Sequence, residues 1–170
     1  EKLSNVAIQK VVSDWWVNMA FNFGGQGPAS KPLPALQDLQ VRKAIEMAID
    51  KQKIVDTVYP GAASPGQTVV RPLSVFWHLD VPDDKVVKYD PDAANALLDQ
   101  AGYPKGSDGV RTDPKTGQPL VMRMPTSDDT QGSTAVGQLI AGFLKQIGIT
   151  VKVQPVTAGT SYGANLPPAW

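Results

Sequence analysis

The sequence predicts an α/β domain in which helices cover a mixed sheet. Three observations carry that prediction. Apolar residues recur at helical spacing in three separate stretches, residues 38–59, 90–101 and 132–147. Short apolar, β-branched or aromatic runs fall between and around them, at residues 5–12, 15–23, 120–124 and 149–156. Hydrophobic residues make up 42% of the 170 positions, enough for a real core, while 15 glycines and 15 prolines supply many turns. Strand pieces that alternate with helices read as a layered α/β structure.

In chain order, residues 5–12 (NVAIQKVV) alternate only weakly, which suits a strand buried on both faces. Residues 15–23 (WWVNMAFNF) read as a second strand, with Ser13 and Asp14 placed to turn the chain between the two. Residues 24–35 are loop by composition. Asp38 is placed to cap the next helix, because its carboxylate can accept from the free amides of a first turn. Val41, Ala44, Ile45, Ala48 and Ile49 then make one apolar face, with Arg42, Lys43 and Glu46 on the other. Asp50 breaks the pattern and is placed to cap a second piece. That piece carries Ile54, Val55 and Val58 inward and ends before Pro60 and Gly61. Residues 61–82 are irregular, with Pro65, Gly66, Pro72 and Pro82. Trp77 there reads as a plug for the core beneath a long loop, or, with His78, as part of a cleft wall.

Asp90 caps the following helix, and Pro91 sits at its first position, where a missing N–H costs nothing. Ala94, Leu97, Leu98 and Ala101 form its inner face, and Gly102 supplies a left-handed stop. Residues 109–124 read as a hairpin with its turn at DPKTG, residues 113–117, and a returning strand at 120–124. Residues 125–133 (PTSDDTQGS) read as the loop into the last long helix, whose apolar face is Val136, Leu139, Ile140, Phe143, Leu144 and Ile147. Gly148 ends that helix, and residues 149–156 form the last strand.

Sixteen basic residues balance sixteen acidic ones, for a net charge of zero. Nucleic acids and anionic membranes select surfaces with excess positive charge, so neither is an expected partner. No apolar run approaches the roughly 20 residues of a membrane span. The absence of cysteine excludes disulfides, thiolate metal sites and cysteine nucleophiles. His78 is the single histidine, which excludes a multi-histidine metal site. Asp108 and Asp113 lack the ligand order and distal glutamate of a calcium loop. No metal or other cofactor is therefore expected. A hydrolytic site would draw on Ser127, Asp128, Asp129 and His78. No G-x-S-x-G elbow surrounds the serine, and adjacent aspartates need not face one another, so no enzyme activity is expected.

Three segments carry a resemblance to a known family. VRKAIEMAIDKQKIVDTV, from Val41, resembles V-R-x-A-x-x-x-A-I-D-[KR]-x-x-I-V of the family 5 extracellular solute-binding proteins, the peptide, dipeptide and nickel receptors of bacterial ABC importers. YDPDAANALLDQAGYP, from Tyr89, resembles that family's Y-D-P-x-x-A-x-x-L-L-x-x-A-G-Y signature, and LIAGFLKQIGITVKVQPV, from Leu139, resembles its L-x-x-x-L-x-x-I-G-I-x-V segment. Ala20, Phe21 and Asn22 resemble a strand end in the same family, and Pro72, Phe76 and Trp77 resemble its Pro-rich segment ending in an aromatic. The glycine-rich loop at residues 24–35 is longer than the family's usual connector.

The resemblance implies one lobe of a type II periplasmic-binding-protein-like fold. Residues 1–170 are expected to form that single lobe, a fragment of a two-lobed protein, with residues 157–170 as a truncated tail. The other lobe would lie before Glu1 and the return crossing after Trp170. The implied function is the substrate-binding component of an ABC importer. It would capture peptides or similar small solutes between two lobes by hinge closure and deliver them to permease subunits. The implied location is extracytoplasmic, in the periplasm or on the outer face of the cytoplasmic membrane, where a lipoprotein anchor on the full-length protein is one arrangement. A stand-alone protein-interaction domain and a hydrolase are the alternative functions.

Ligands of open α/β sheets settle outside the carboxyl ends of the strands, where loops lead into helices. Residues 125–133 are such a loop, so Thr126, Ser127 and Asp128 are expected to line the cleft. Asn22, Trp77 and His78 are further candidates. By resemblance, dipeptide receptors place a ligand-contacting arginine in this loop. This sequence has none there, and its two carboxylates favour a cationic or amine-bearing group. The plain structural roles are helix capping for Ser127 or Asp129 and holding the strand exit for Asn22.

Overall fold

A computed structural model describes Ala7, residues 15–22 and residues 33–157. A short 3-10 turn, Pro34–Gln37, leads into α1 (Leu39–Ala48) and α2 (Lys51–Val58). A long connection precedes α3 (Pro91–Gln100), and β1 (Val121–Ser127), α4 (Ser133–Gln146) and β2 (Thr150–Val156) follow.

The helices begin where the sequence places their caps. Asp38 accepts from the Gln40 amide at 2.8 Å, Asp50 from Lys53 at 2.8 Å, and Asp90 from Ala93 at 2.8 Å. α3 also ends as expected. Gly102 takes φ 82°, its amide donates to Asp99, and the Tyr103 amide reaches back to the Leu98 carbonyl at 3.0 Å. Only a residue without a Cβ takes that left-handed turn cheaply.

β1 and β2 run parallel, in register from Val121 opposite Thr150 to Ser127 opposite Val156. Parallel neighbours need a crossover, and α4 supplies it. α4 lies close to the strands because Gly137 faces them. A Cβ there would come within 2.7 Å of the Thr126 methyl and 3.2 Å of Val153. The core lies between these layers. Val41, Ala44 and Ile45 of α1 meet Ala94 and Leu98 of α3, Met122 of β1, and Val136, Ile140 and Leu144 of α4. Leu120, Ile147 and Ile149 close it at the strand entrances.

Tyr103 and Arg111 are the largest of the buried side chains that carry polar groups. Tyr103 donates to the second oxygen of Asp38 at 3.1 Å, so one carboxylate both caps α1 and holds the phenol. Burial, then the hydrogen bond and charge of Asp38, push the phenol well above the ordinary tyrosine range. Arg111 is 1% exposed. Its Nε donates to the Ile147 carbonyl at 2.8 Å, Nη1 to Asp99 Oδ1 at 2.6 Å and to the Tyr103 carbonyl, and Nη2 to the carbonyl and side-chain oxygens of Asn95 at 3.2 and 3.0 Å. All the N–H groups of a guanidinium are thereby used.

Several expectations need correction. Residues 15–22 form no strand. A strand needs a ladder partner, and among the described residues none pairs with this segment. It is anchored instead by Met19 and Phe21, which pack against the core. The expected strand at residues 5–12 falls, apart from Ala7, outside the described residues, as does nearly all of the tail at 157–170. The turn at residues 113–117 forms, with Gly117 donating to Asp113 at 2.8 Å and Asp113 accepting from Lys115 at 2.8 Å. The chain does return along the hairpin, but only as far as Leu120, with the Asp113 amide donating to the Gln118 carbonyl at 2.8 Å and the Leu120 amide to the Arg111 carbonyl at 2.7 Å. Single bridges join Thr112 to Pro119 and Lys105 to Arg111, and the chain then leaves to pair with β2. α2 is less embedded than its pattern suggests, with Ile54, Val55 and Val58 only half-buried, because it packs at the rim of the core against α4.

Candidate functional site

β1 runs further than the sequence indicates. Pro125 reads as the end of a strand, yet the ladder continues through Thr126 and Ser127, and the Asp128 amide still donates to the Val156 carbonyl at 3.0 Å. Among the described residues both strands are edges of a two-stranded sheet, and an edge tolerates a residue with no N–H to give. The expected loop therefore shrinks to residues 128–132.

Side chains alternate along the strand. Thr126 points under α4. It is 6% exposed, its methyl lies against Gly137, and its hydroxyl is 3.2 Å from that of Thr134. Ser127 is half-buried on the opposite face and accepts from the Thr130 hydroxyl at 3.2 Å. Asp128 and Asp129 are exposed. The N-cap position of α4 is held by Gly132, φ 83°, which has no side chain to cap with. Neither Ser127 nor Asp129 stands at the N-cap position, where the plain structural expectation would have put one of them. The glycine takes the left-handed turn between strand and helix.

The end of α2 closes the other side of this loop. The Tyr59 hydroxyl donates to the Gln131 carbonyl at 3.3 Å. A Cβ on Gly132 would stand 2.7 Å from that hydroxyl and 2.8 Å from Val58 Cγ1. Burial raises the Tyr59 phenol above its ordinary value, so it remains a donor at neutral pH. Nothing local in the sequence links Tyr59 to Gln131 and Gly132. Their meeting follows from how α2 packs on α4.

The remaining candidates lie elsewhere. Trp77 is 81% exposed and Phe76 is 93% exposed, so neither plugs the core. Residues 71–78 turn on themselves, with Ser74 donating to Arg71 and both Trp77 and His78 to Ser74, and the Phe76 and Trp77 side chains are left outside. His78 is partly buried, with Nδ1 2.7 Å from the Val70 carbonyl and Nε2 3.4 Å from Asp80. These bonds hold Trp77 and His78 to their own connection. Asn22 is exposed at the end of the segment anchored by Phe21. That segment meets the connection where the Arg71 guanidinium lies 4.8 Å from the Trp16 ring centre. The structure thus gathers Thr126, Ser127 and Asp128 at one sheet end and places Trp77 and His78 together in the connection.

A shallow cavity of about 170 Å³ at the bend between α1 and α2 is lined by Asp50, Lys51, Pro65, Gln67 and Tyr89, among others. It falls short of the roughly 300 Å³ at which ligand pockets begin. Among the described residues no group of three or more His, Cys, Asp or Glu is gathered to hold a metal, and no helix is long and apolar enough to cross a membrane.

Comparison with known proteins finds relatives of the chain. The nickel-binding periplasmic protein of Escherichia coli is 30% identical over 118 residues, 68% of this chain and 21% of that protein. The oligopeptide-binding protein AppA of Bacillus subtilis is 28% identical over 134 residues, 79% of this chain and 24% of that protein. The solved structure of AppA with a nonapeptide superposes with a TM-score of 0.66 at 27% identity, covering 79% of this chain and 26% of that one. An oligopeptide-binding protein from Thermus thermophilus, solved with a pentapeptide, gives 0.66 at 25% identity, covering 75% of this chain and 21% of that one. The chain thus spans about a fifth to a quarter of the length of these relatives. These neighbours share the observed arrangement of helices and parallel strands. The model of the bacterial extracellular solute-binding proteins, family 5 Middle, matches residues 1–166, and the chain belongs to that family.

Proposed function

We propose that this chain is one lobe of a substrate-binding component of an ABC importer, which captures peptides or similar small solutes outside the cytoplasm and hands them to a permease. The observation that carries the proposal is the end of β1. A parallel strand delivers Ser127 and Asp128 to its carboxyl edge, beside the first turn of α4, where ligands of α/β sheets settle. In this reading Ser127 and Asp128 face the solute directly, and Thr126 supports them from beneath through Thr134 and Gly137. Asp128 and Asp129 favour a cationic or amine-bearing group over a free carboxylate. Trp77 and His78 form a separate wall in this reading, and Asn22 stands at the end of the segment whose Trp16 meets Arg71.

The test is peptide affinity of the longer receptor that contains this chain, with Ser127→Ala and Asp128→Ala. A loss of about tenfold for a lysine-bearing dipeptide on Asp128→Ala is expected, the size of one charged hydrogen bond. Unchanged affinity in both variants, with the fold intact, removes this strand end from the site.

A second reading rests on the exposed apolar side chains of Trp15, Val69, Val75, Phe76 and Trp77. Such surface is a contact face for other protein, and the chain would then act as an interaction domain. Size-exclusion chromatography across concentrations separates the two. Concentration-dependent association favours the second reading, and a constant monomer favours the first.

A further inference from the structure

We propose that Tyr59 is a positioning residue for the strand-end site, setting the path of residues 128–132 and, through Thr130, the direction of the Ser127 hydroxyl. The inference rests on the reading of that strand end as the site. Three contacts carry it. The Tyr59 hydroxyl donates to the Gln131 carbonyl at 3.3 Å. Its ring and Val58 fill the space where Gly132 would otherwise carry a side chain. Thr130, next to Gln131, donates its hydroxyl to Ser127 at 3.2 Å.

The consequence is mechanical. A loop of five residues between strand and helix has its ends fixed by the ladder and by α4. Its middle is held by the Thr130 hydroxyl and by the contact with α2, among other interactions. The Ser133 amide donates to the Thr130 carbonyl at 3.1 Å, which makes a turn around the point that Tyr59 holds. α2 is the least embedded helix, so the element that presses on the loop is also the one with most freedom to shift. Gly132 is required twice, by its φ of 83° and by the approach of Tyr59. The phenol, raised in pKa by burial, keeps its proton and its donor role.

The test is amide hydrogen exchange of the chain carrying Tyr59→Phe, which keeps the ring and removes the donor. The Ser133 amide is expected to exchange about three- to tenfold faster, the effect of losing one hydrogen bond. The Thr150 amide, bonded to the Leu120 carbonyl in the ladder, should keep its wild-type rate. No change at Ser133 overturns the proposal. Equal acceleration at Ser133 and Thr150 also overturns it, because the tyrosine would then serve general stability alone. Gly132→Ala gives a second arm, in which a methyl against the phenol should displace the loop while the ladder stays protected. The functional reading fails separately. If Ser127→Ala and Asp128→Ala leave peptide affinity unchanged while Tyr59→Phe still loosens Ser133, Tyr59 positions the loop and the loop is not the solute site.

Discussion

Arg111 shows how much one buried side chain can join. Its guanidinium ties the carbonyl at the end of α4 to two residues of α3 and to the Tyr103 carbonyl beyond it. Removing it leaves neutral carbonyl acceptors without donors in the core, while Asp99, at the rim, regains water. Arg111→Met is expected to cost roughly 2–4 kcal/mol in urea unfolding, given the usual penalty for stranded buried acceptors. Arg111→Lys should recover only a minor part, because a single ammonium cannot span acceptors on three segments. Tyr103 gives a pH prediction. Its phenol is held protonated in the fold and ionises near its ordinary value of 10.0 when unfolded. The native state thus keeps a proton that the unfolded state loses, so stability falls as pH rises above about 10. Tyr103→Phe should flatten that alkaline decline in a pH series of thermal unfolding. An identical slope in both proteins would show that other groups set it. Asp38 was legible as a cap because capping is local. Its bond to Tyr103 and the whole Arg111 network were not, because they join residues that only the fold brings together.

The elements divide into those with local signals and those without. α1, α2 and α3 each combine an aspartate cap with a helical apolar period, and each appears where those signals place it. Asp90→Ala should cost about 1 kcal/mol, the usual value of a cap, with the loss read as a lower unfolding midpoint. Ile45 is fully buried, so Ile45→Ala is expected to cost roughly 2–5 kcal/mol. Leu97 had looked equivalent from the sequence, yet it is half-buried and Leu98 is the fully enclosed residue. Leu98→Ala should therefore cost clearly more than Leu97→Ala, and the reverse order would misplace the inner face of α3. Strands were less legible. The aromatic run at residues 15–22 has β propensity but no partner among the described residues, and β1 continues past a proline that would stop an interior strand. Pairing is a property of two segments, and one segment cannot declare it.

At the scale of the molecule, the described sheet has two strands, and in the proposed reading this lobe supplies one side of the cleft. A cleft closed from one side gives a solute half of its contacts and leaves the rest to water. This 170-residue chain is therefore expected to bind di- and tripeptides no better than about millimolar by calorimetry, near −4 kcal/mol. Micromolar binding would mean that the chain alone completes a site. The fold class was legible from the alternation of elements. The depth of Thr126, the exposure of Trp77 and the hold of Tyr59 were not, because each depends on how one element lies across another.

The connection from Tyr59 to Asp90 carries a different consequence. It holds no helix or strand, yet the parts on either side grip one another: α1 packs on α3, and the Asp90 amide donates to the Met47 carbonyl at 2.8 Å. A protease such as chymotrypsin, cutting at Phe76 or Trp77, would sever the covalent link and leave the core contacts in place. The product should run as two bands on a denaturing gel and as one species in native chromatography. The peptide there acts as a tether that keeps two complementary pieces at high local concentration. Separately made halves, divided at residue 77, should then find each other and assemble.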